Sequence, residues 1–230
     1  MSPARTGAGV STVALIAGRR AWFCDLDGTL VDSGPVHRAA FQDAIAEITP
    51  GLLDSFRYDA HAGASTLDVV AGLGTDAGTA ERLVRRKQQL YRISVDAGLL
   101  AVFPGAHRLL DHLARRGHLV YLVTSGSRGS VERVLATSAL RGRFRGVLTG
   151  DEVPSSKPDP RIYQEACRRW NIDPDDAIAV EDSAHGVASA VGAGLMTLQV
   201  NTTEPAAGAL AVRDLDEIVS LLGLDVNGRE

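Results

Sequence analysis

The pattern of hydrophobic and polar positions divides the chain into three parts. A short apolar run at 22–24 is followed at once by polar and acidic residues. Residues 35–100 then carry apolar side chains at spacings of three and four with no strand pattern between them, which is typical of amphipathic helices. From residue 103 onward, short β-rich apolar runs alternate with helical segments. The pattern therefore predicts one strand, an all-helical unit, and then an alternating strand and helix region.

Strands that alternate with helices favour a parallel sheet with helices on both faces. In the alternating region we expect strands at 119–123, 146–148, 177–180 and 196–200, and helices near 106–116, 130–137, 161–170, 184–191 and 214–222. In the helical unit we expect helices at 35–48, after Thr66, and at 76–95. The predicted fold class is α/β, a doubly wound, Rossmann-like parallel sheet with a small inserted all-helical domain. Ligands bind at the carboxyl ends of the strands in such sheets.

The same pattern predicts the domain organisation. We expect residues 18–34 and 102–230 to form the α/β core and residues 35–101 to form the helical insert, with hinges near 33–35 and 101–104. The apolar stretch at 10–17 is far too short to span a bilayer. A signal peptide is the alternative, but Gly18-Arg19-Arg20 and the first strand follow at once, so residues 1–17 are interpreted as a loose N-terminal leader.

Composition and charge restrict the possible partners. The chain has 230 residues, of which 45% are hydrophobic and 23% charged, as in ordinary globular proteins, and its formal net charge is -4. This charge argues against nucleic acid or an anionic membrane as the main partner. The two cysteines, Cys24 and Cys167, are far apart and require no oxidising compartment. We therefore expect a cytoplasmic monomer that binds neither nucleic acid nor membranes.

Two acidic residues follow the first apolar run, in the sequence Asp25-Leu26-Asp27-Gly28. Side-chain alternation along this strand places Asp25 and Asp27 on one face and Leu26 on the other. Carboxylates held this close repel each other, and a bound cation or a raised pKa relieves the repulsion. The arrangement suits metal-assisted phosphoryl transfer. The alternative is a polar strand end followed by an ordinary turn.

Three further polar segments follow predicted strands. Segment 124–127 (TSGS) offers a hydroxyl and backbone N–H groups that could hold a phosphate, although it could also be a plain loop. Lys157 lies in a loop that two prolines stiffen. Glu181 and Asp182 offer the hard oxygen ligands that Mg²⁺ prefers, although Asp182 could simply cap a helix.

In order and character, DLDGTLVDS at 25–33 and these three segments resemble the four motifs of the haloacid dehalogenase superfamily, over roughly residues 20–200. The resemblance implies that Asp25 is a nucleophile, Asp27 a general acid and base, Thr124 a phosphate ligand and Lys157 a neutralising cation. It also implies a Mg²⁺ site formed by Asp25, Asp27, Glu181 and Asp182. The helical insert looks like the cap of the branch that includes phosphoglycolate phosphatase, β-phosphoglucomutase and sugar phosphatases.

The function that this resemblance implies is Mg²⁺-dependent hydrolysis of a small phosphorylated metabolite, a sugar or polyol phosphate, through an aspartyl phosphate. The alternatives within the scaffold are a β-phosphoglucomutase and a phosphoglycolate phosphatase. A non-enzymatic phosphoacceptor of the receiver type is a further alternative, but receivers carry neither a second aspartate two residues after the first nor a helical insert.

Substrate specificity is expected to come from the cap and the phosphate loop. The candidate substrate-binding residues are His37, His61, Gly63, Ser65, Thr66, Lys87, Ser125 and Gly126. The position of His37 resembles that of a histidine in β-phosphoglucomutases and sugar phosphatases, although it could also be a helix-surface histidine. For Lys87, within Arg85-Arg86-Lys87, the pattern favours a solvated helix face over a binding role.

The loop around Gly63 bears on the choice between mutase and phosphatase. Mutases look to hold a second phosphate with a lysine and an arginine that flank this glycine, and here Ala62 and Thr66 stand at those positions. The missing cations favour hydrolysis of a monophosphate.

Overall fold

The computed structural model describes residues 12–61 and 63–223. Its strands are β1 (Ala21–Cys24), β2 (Val31–Asp32), β3 (Ala101–Val102), β4 (Leu119–Val123), β5 (Gly146–Leu148), β6 (Ala177–Glu181), β7 (Met196–Gln199) and β8 (Ala209–Ala211). Its α-helices are α1 (Thr12–Ala17), α2 (Gly34–Ile48), α3 (Thr66–Ala71), α4 (Ala77–Asp96), α5 (Pro104–Arg115), α6 (Arg128–Thr137), α7 (Arg161–Trp170), α8 (Ala184–Gly192) and α9 (Leu215–Gly223). Short 3-10 turns lie at Pro50–Leu52, Tyr58–His61, Gly150–Glu152 and Pro174–Asp176.

Six of these strands form one parallel sheet in the order β5-β4-β1-β6-β7-β8. Strand β1 lies inside the sheet, where Cys24 pairs with Leu122 of β4 and with Val180 of β6. All four residues of β1 are buried. The predicted α/β class with a parallel sheet is confirmed.

The two faces of the sheet carry separate apolar clusters, as alternation along β1 requires. Trp22 and Cys24 belong to a cluster that includes residues of α5, α6 and α9. Ala21 and Phe23 belong to the opposite cluster, which includes Tyr163 of α7. Helices therefore cover both faces, and the polar loops at the carboxyl ends of the strands are left to form a site.

The segment between β2 and β3 is helical, and it has an apolar cluster of its own. Helices α2, α3 and α4 contribute Phe41, Val69 and Leu83 to this cluster. Helix α4 also reaches the core, because Tyr91 and Val95 belong to the main core cluster.

Strands β2 and β3 form a two-stranded antiparallel sheet that the sequence pattern did not predict. Val31 pairs with Val102, and Asp32 pairs with Ala101. The chain thus leaves the core and returns to it at neighbouring points, close to the hinges expected near 33–35 and 101–104. The division into a core and a cap with the bounds given above stays a prediction.

Helix α1 departs from the expected N-terminal leader. Val13 and Ile16 are buried, and the helix packs against α9. These two side chains are three positions apart, so one helical face can bury both. Residues 1–11 of the expected leader lie outside the described residues. None of the described helices combines the length and the apolar character that crossing a membrane requires.

Candidate active site

Four polar loops meet at the carboxyl ends of the central strands. Asp25 follows β1, Thr124 follows β4, Glu181 ends β6, and Lys157 lies between β5 and α7. All four residues line a cavity of about 340 Å³ whose opposite wall comes from the helical insert. Because parallel strands end at the same edge of a sheet, loops distant in sequence become neighbours here.

Lys157 is the centre of the buried charges on the core side. Its Nζ donates to Asp25 Oδ1 (2.7 Å), to Glu181 Oε1 (2.6 Å) and to the Val123 carbonyl (3.1 Å). Burial alone would lower the pKa of Lys157, but the carboxylates of Asp25 and Glu181 raise it above its ordinary value. The Tyr163 hydroxyl donates a further hydrogen bond to Glu181 Oε1 (2.5 Å). Lys157 therefore stays positively charged.

Three carboxylates are arranged so that they could hold a metal ion. Oxygen atoms of Asp25, Glu181 and Asp182 lie within 4.8 Å of one another. Burial raises the pKa of Asp25 well above its ordinary value despite Lys157, and burial and the charge of Glu181 raise the pKa of Asp182 to about 7. Burial is the largest cause of both shifts, and the neighbouring carboxylates add to them, because three carboxylates share this site with one ammonium group. A hard divalent cation such as Mg²⁺ fits these oxygen ligands and this charge.

Gly28 allows the loop after β1 to lie against this cluster. Its φ angle is +81°, and a Cβ atom at this position would lie 2.0 Å from Asp182 Oδ2. Any other side chain would both strain the backbone and displace the carboxylate.

The side chain of Asp27 is directed to the cap and is not one of the three grouped carboxylates, and its role as a metal ligand stays a prediction. His37 Nε2 lies 3.2 Å from Asp27 Oδ1, and the Tyr91 hydroxyl donates to the same oxygen at 3.3 Å. Burial alone would raise the pKa of Asp27, but hydrogen bonds and the nearby positive charges lower it to about 2. Strand β1 ends at Cys24, so strand alternation does not extend to Asp25 and Asp27.

Lys87 is buried next to the contact between His37 and Asp27, so the interpretation of Lys87 as part of a solvated helix face is wrong. Only 3% of the residue is exposed, and its Nζ donates to His37 Nδ1 (2.8 Å) and to Thr66 Oγ1 (3.0 Å). Burial lowers its pKa to about 8. An ammonium group can only donate, so Nδ1 of His37 accepts and its Nε2–H donates to Asp27. Lys87 therefore fixes the tautomer of the histidine that contacts Asp27.

The ring of Tyr91 completes this group. It stacks on the ring of His37 with a centroid distance of 4.2 Å and an interplanar angle of 7°. Tyr91 is not among the site residues that the sequence predicts.

The loop after β4 offers polar groups to the cavity. Thr124 is 1% exposed, and its Oγ1 accepts from the backbone N–H of Gly126 (3.0 Å). Ser125 Oγ is buried and has no hydrogen-bond partner among residues 12–61 and 63–223. Thr124, Ser125 and Gly126 all line the cavity. A phosphate oxygen would fit this unsatisfied hydroxyl.

The structure separates the predicted substrate-binding residues of the cap into two groups. One group lines the cavity, and it consists of His37, Gly63, Ser65, Thr66 and Lys87. His61 does not line it, and its ring stacks on Phe56 with a centroid distance of 5.8 Å. Ala62 lies outside the described residues. Polar cavity-lining residues that were not predicted as site residues include Asp32, Ser33, Arg38, Tyr58 and Asp59.

The parallel sheet carries a buried cluster of carboxylates and a lysine at the carboxyl ends of its strands, and a helical insert follows the first strand. Together these features define the class of haloacid dehalogenase-type phosphatases. A family model described as haloacid dehalogenase-like hydrolase matches residues 20–194. The chain belongs to this family, and it is an enzyme of the phosphatase type.

Relatives include phosphatases with different named substrates. Validoxylamine A 7'-phosphate phosphatase from Streptomyces hygroscopicus subsp. limoneus is 32% identical over 83% of this chain and 89% of that protein. Phosphoglycolate phosphatase 1 from Pseudomonas aeruginosa is 30% identical over 86% of this chain and 76% of that protein. CbbY from Rhodobacter sphaeroides, solved in complex with xylulose-(1,5)bisphosphate, superposes with a TM-score of 0.75 at 26% identity, covering 90% of this chain and 99% of CbbY.

Proposed function

We propose that this protein is a Mg²⁺-dependent phosphomonoester hydrolase that acts on a small sugar or polyol monophosphate through an aspartyl phosphate. The observation that carries the proposal is the position of Asp25. Its carboxylate is buried, its Oδ1 is fixed by Lys157, and it lines the cavity between the sheet and the helical insert.

Asp25 is the proposed nucleophile. One of its oxygens is held by Lys157, which leaves the other available to attack phosphorus in line with the leaving oxygen. The new bond joins Asp25 to phosphorus, and the bond between phosphorus and the alcohol oxygen breaks. Lys157 offsets the negative charge that the phosphate brings beside Asp25 and Glu181. Mg²⁺, bound by Asp25, Glu181 and Asp182, would supply further neutralisation of the phosphate oxygens.

Asp27 is the proposed acid and base. It is ionised in the free enzyme, because its pKa is lowered to about 2. A phosphate dianion that enters the cavity adds negative charge close to Asp27, which favours uptake of a proton. Asp27 then gives that proton to the leaving alkoxide. In the second step Asp27 takes a proton from the water that attacks the aspartyl phosphate, and inorganic phosphate leaves.

The lining of the cavity supports the proposed substrate class. The cap contributes the hydroxyl groups of Tyr58, Ser65 and Thr66, which can bond to the hydroxyl groups of a polyol. The relative that acts on validoxylamine A 7'-phosphate has 32% identity. Two relatives favour other substrates: phosphoglycolate, named for the Pseudomonas enzyme, and the bisphosphate bound to CbbY.

Phosphate release across a panel tests this function. The panel contains monophosphates of sugars and polyols, phosphoglycolate, xylulose 1,5-bisphosphate and nucleotides, each assayed with Mg²⁺, after treatment with EDTA, and after Mg²⁺ is restored. β-Glucose 1-phosphate is also assayed for conversion to glucose 6-phosphate.

We expect the highest kcat/KM for a sugar or polyol monophosphate, loss of turnover in EDTA and recovery with Mg²⁺. Full activity in EDTA would contradict the metal site. Isomerisation without phosphate release would identify a mutase. Absence of phosphate release from every compound of the panel would contradict the proposed hydrolase.

A further inference from the structure

An ion pair lies on the cap side of the cavity. Arg38 follows His37 on α2, and its guanidinium donates to the carboxylate of Asp59 in the short turn Tyr58–His61. The guanidinium also lies 5.8 Å from the centroid of the Tyr58 ring. Arg38, Tyr58 and Asp59 all line the 340 Å³ cavity. The cavity thus contains a cation whose charge a neighbouring carboxylate already balances.

The other positive charge on the cap side of the cavity belongs to Lys87, which also has hydrogen-bond partners. Among the described cap residues that line the cavity, Arg38 and Lys87 are the side chains that carry a positive charge near neutral pH. Lys87 is 3% exposed and bonded to His37 and Thr66. Asp32 adds a negative charge to the same lining. The described cap wall therefore offers a substrate no positive charge that lacks a partner.

We propose that Asp59 determines specificity by masking Arg38, so that the enzyme favours phosphate esters whose alcohol part is uncharged over esters that carry a second anionic group. The inference rests on the proposed function, because it requires the phosphate to lie at Asp25 and the alcohol to face the cap. A carboxylate or second phosphate beside Arg38 meets an almost neutral ion pair. To gain the full attraction of the guanidinium, that anion must displace Asp59.

A matched pair of substrates isolates this charge effect. Glycerol 3-phosphate and 3-phosphoglycerate have the same carbon number, and they differ at the end remote from the phosphate in a hydroxymethyl group and a carboxylate. The variant is Asp59→Asn, and the control is Asp54→Asn, which changes an exposed aspartate of the same cap loop that does not line the cavity. The double variant Arg38→Gln/Asp59→Asn removes the unmasked cation.

We expect the wild type and Asp54→Asn to favour glycerol 3-phosphate. Asp59→Asn should shift the ratio of the two kcat/KM values about fivefold toward 3-phosphoglycerate, mainly through KM, as an exposed charge pair of this kind allows. The double variant should lose the shift. A wild type that favours 3-phosphoglycerate, together with a selective loss of that substrate in Arg38→Gln, would overturn the inference and make Arg38 an anion ligand.

Equilibrium binding separates this inference from the proposed reaction. Calorimetry of both ligands with Asp25→Asn and with Asp25→Asn/Asp59→Asn, in the presence of Mg²⁺, measures the preference without turnover. A binding ratio that shifts about fivefold toward 3-phosphoglycerate supports the masking role, even if no variant hydrolyses either ester and the proposed function fails. A ratio that does not change when Asp59 is replaced overturns the masking role, even if hydrolysis is rapid.

Discussion

Two charged clusters meet at the active site, and they are built differently. The core cluster consists of Asp25, Lys157, Glu181 and Asp182. The cap cluster consists of Asp27, His37, Lys87 and Tyr91. The core cluster is assembled by strand ends of one sheet. The cap cluster joins one residue of the core to three residues of the helical insert, so it exists only while the insert lies against the core.

Asp25 and Asp27 show how the different surroundings of the two clusters change the pKa of a carboxylate. Asp25 and Asp27 are separated by one residue, yet the pKa of Asp25 is raised well above its ordinary value and that of Asp27 is lowered to about 2. Asp25 is buried beside other carboxylates, whereas Asp27 accepts hydrogen bonds from His37 and Tyr91. Tertiary partners therefore decide the properties of each carboxylate, and the cap supplies the partners of Asp27.

The largest expected effect comes from Asp25→Asn in the core cluster. An amide is a poor nucleophile, so kcat should fall by at least about a thousandfold. The protein should stay folded, because burial already disfavours the charge of Asp25 and Lys157 retains Glu181 as a partner. Steady-state kinetics and thermal unfolding measure the two effects. A rate near that of the wild type would contradict the nucleophile assignment.

Asp27→Asn tests the role of the cap cluster in proton transfer. Loss of a general acid and base typically lowers a rate by about a hundredfold to ten-thousandfold. Because Asp27 is also assigned to the hydrolysis of the aspartyl phosphate, the variant should accumulate phosphorylated enzyme with substrates that have good leaving groups. Intact-mass measurement after mixing would detect it. Rapid turnover by this variant would remove Asp27 from the reaction.

The smallest effect is expected for Lys87→Gln, which changes the partner of His37. We expect a loss of about tenfold in kcat/KM, because the histidine that bonds to Asp27 loses the group that fixes its tautomer. Burial lowers the pKa of His37, and the charge of Lys87 lowers it further, so this variant should raise that pKa in an NMR titration.

Arg85→Gln is the matched control, since Arg85 lies in the same basic run but is exposed and paired with Glu81. It should leave both kcat/KM and the pKa of His37 unchanged. If the two variants behave alike, Lys87 does not act through His37.

The core cluster could be predicted because each of its residues follows a strand or lies in a stiffened loop, which are local signals. Lys87 was harder to interpret, because it follows two arginines. A signal was present all the same, since Leu83, Lys87, Tyr91 and Val95 recur at intervals of four and are buried together on one face of α4. The polar neighbours of Lys87 concealed that periodicity.

The prediction of the fold was likewise incomplete where an element lacks a local sequence signal. Alternating helices and strands predicted the parallel sheet, whereas β2 and β3, with two residues each, are too short to show any alternation. Strand β8 was not predicted either. The burial of α1 depends on contact with α9, at the other end of the described chain, which local sequence does not reveal. The contact between His61 and Phe56 likewise follows from how the cap loop folds.

The pairing of β2 with β3 also has a consequence for how such enzymes can diverge. Because Val31 meets Val102 and Asp32 meets Ala101, the core holds the two ends of residues 33–100 side by side. The entropy cost of closing a loop grows only with the logarithm of its length. Insertions and deletions in the loops between these anchor pairs therefore cost little loop entropy, provided that α2 and α4 keep the partners of Asp27 in place. A lineage can change the selectivity of the enzyme in these loops while the carboxylate and lysine cluster of the core is inherited intact.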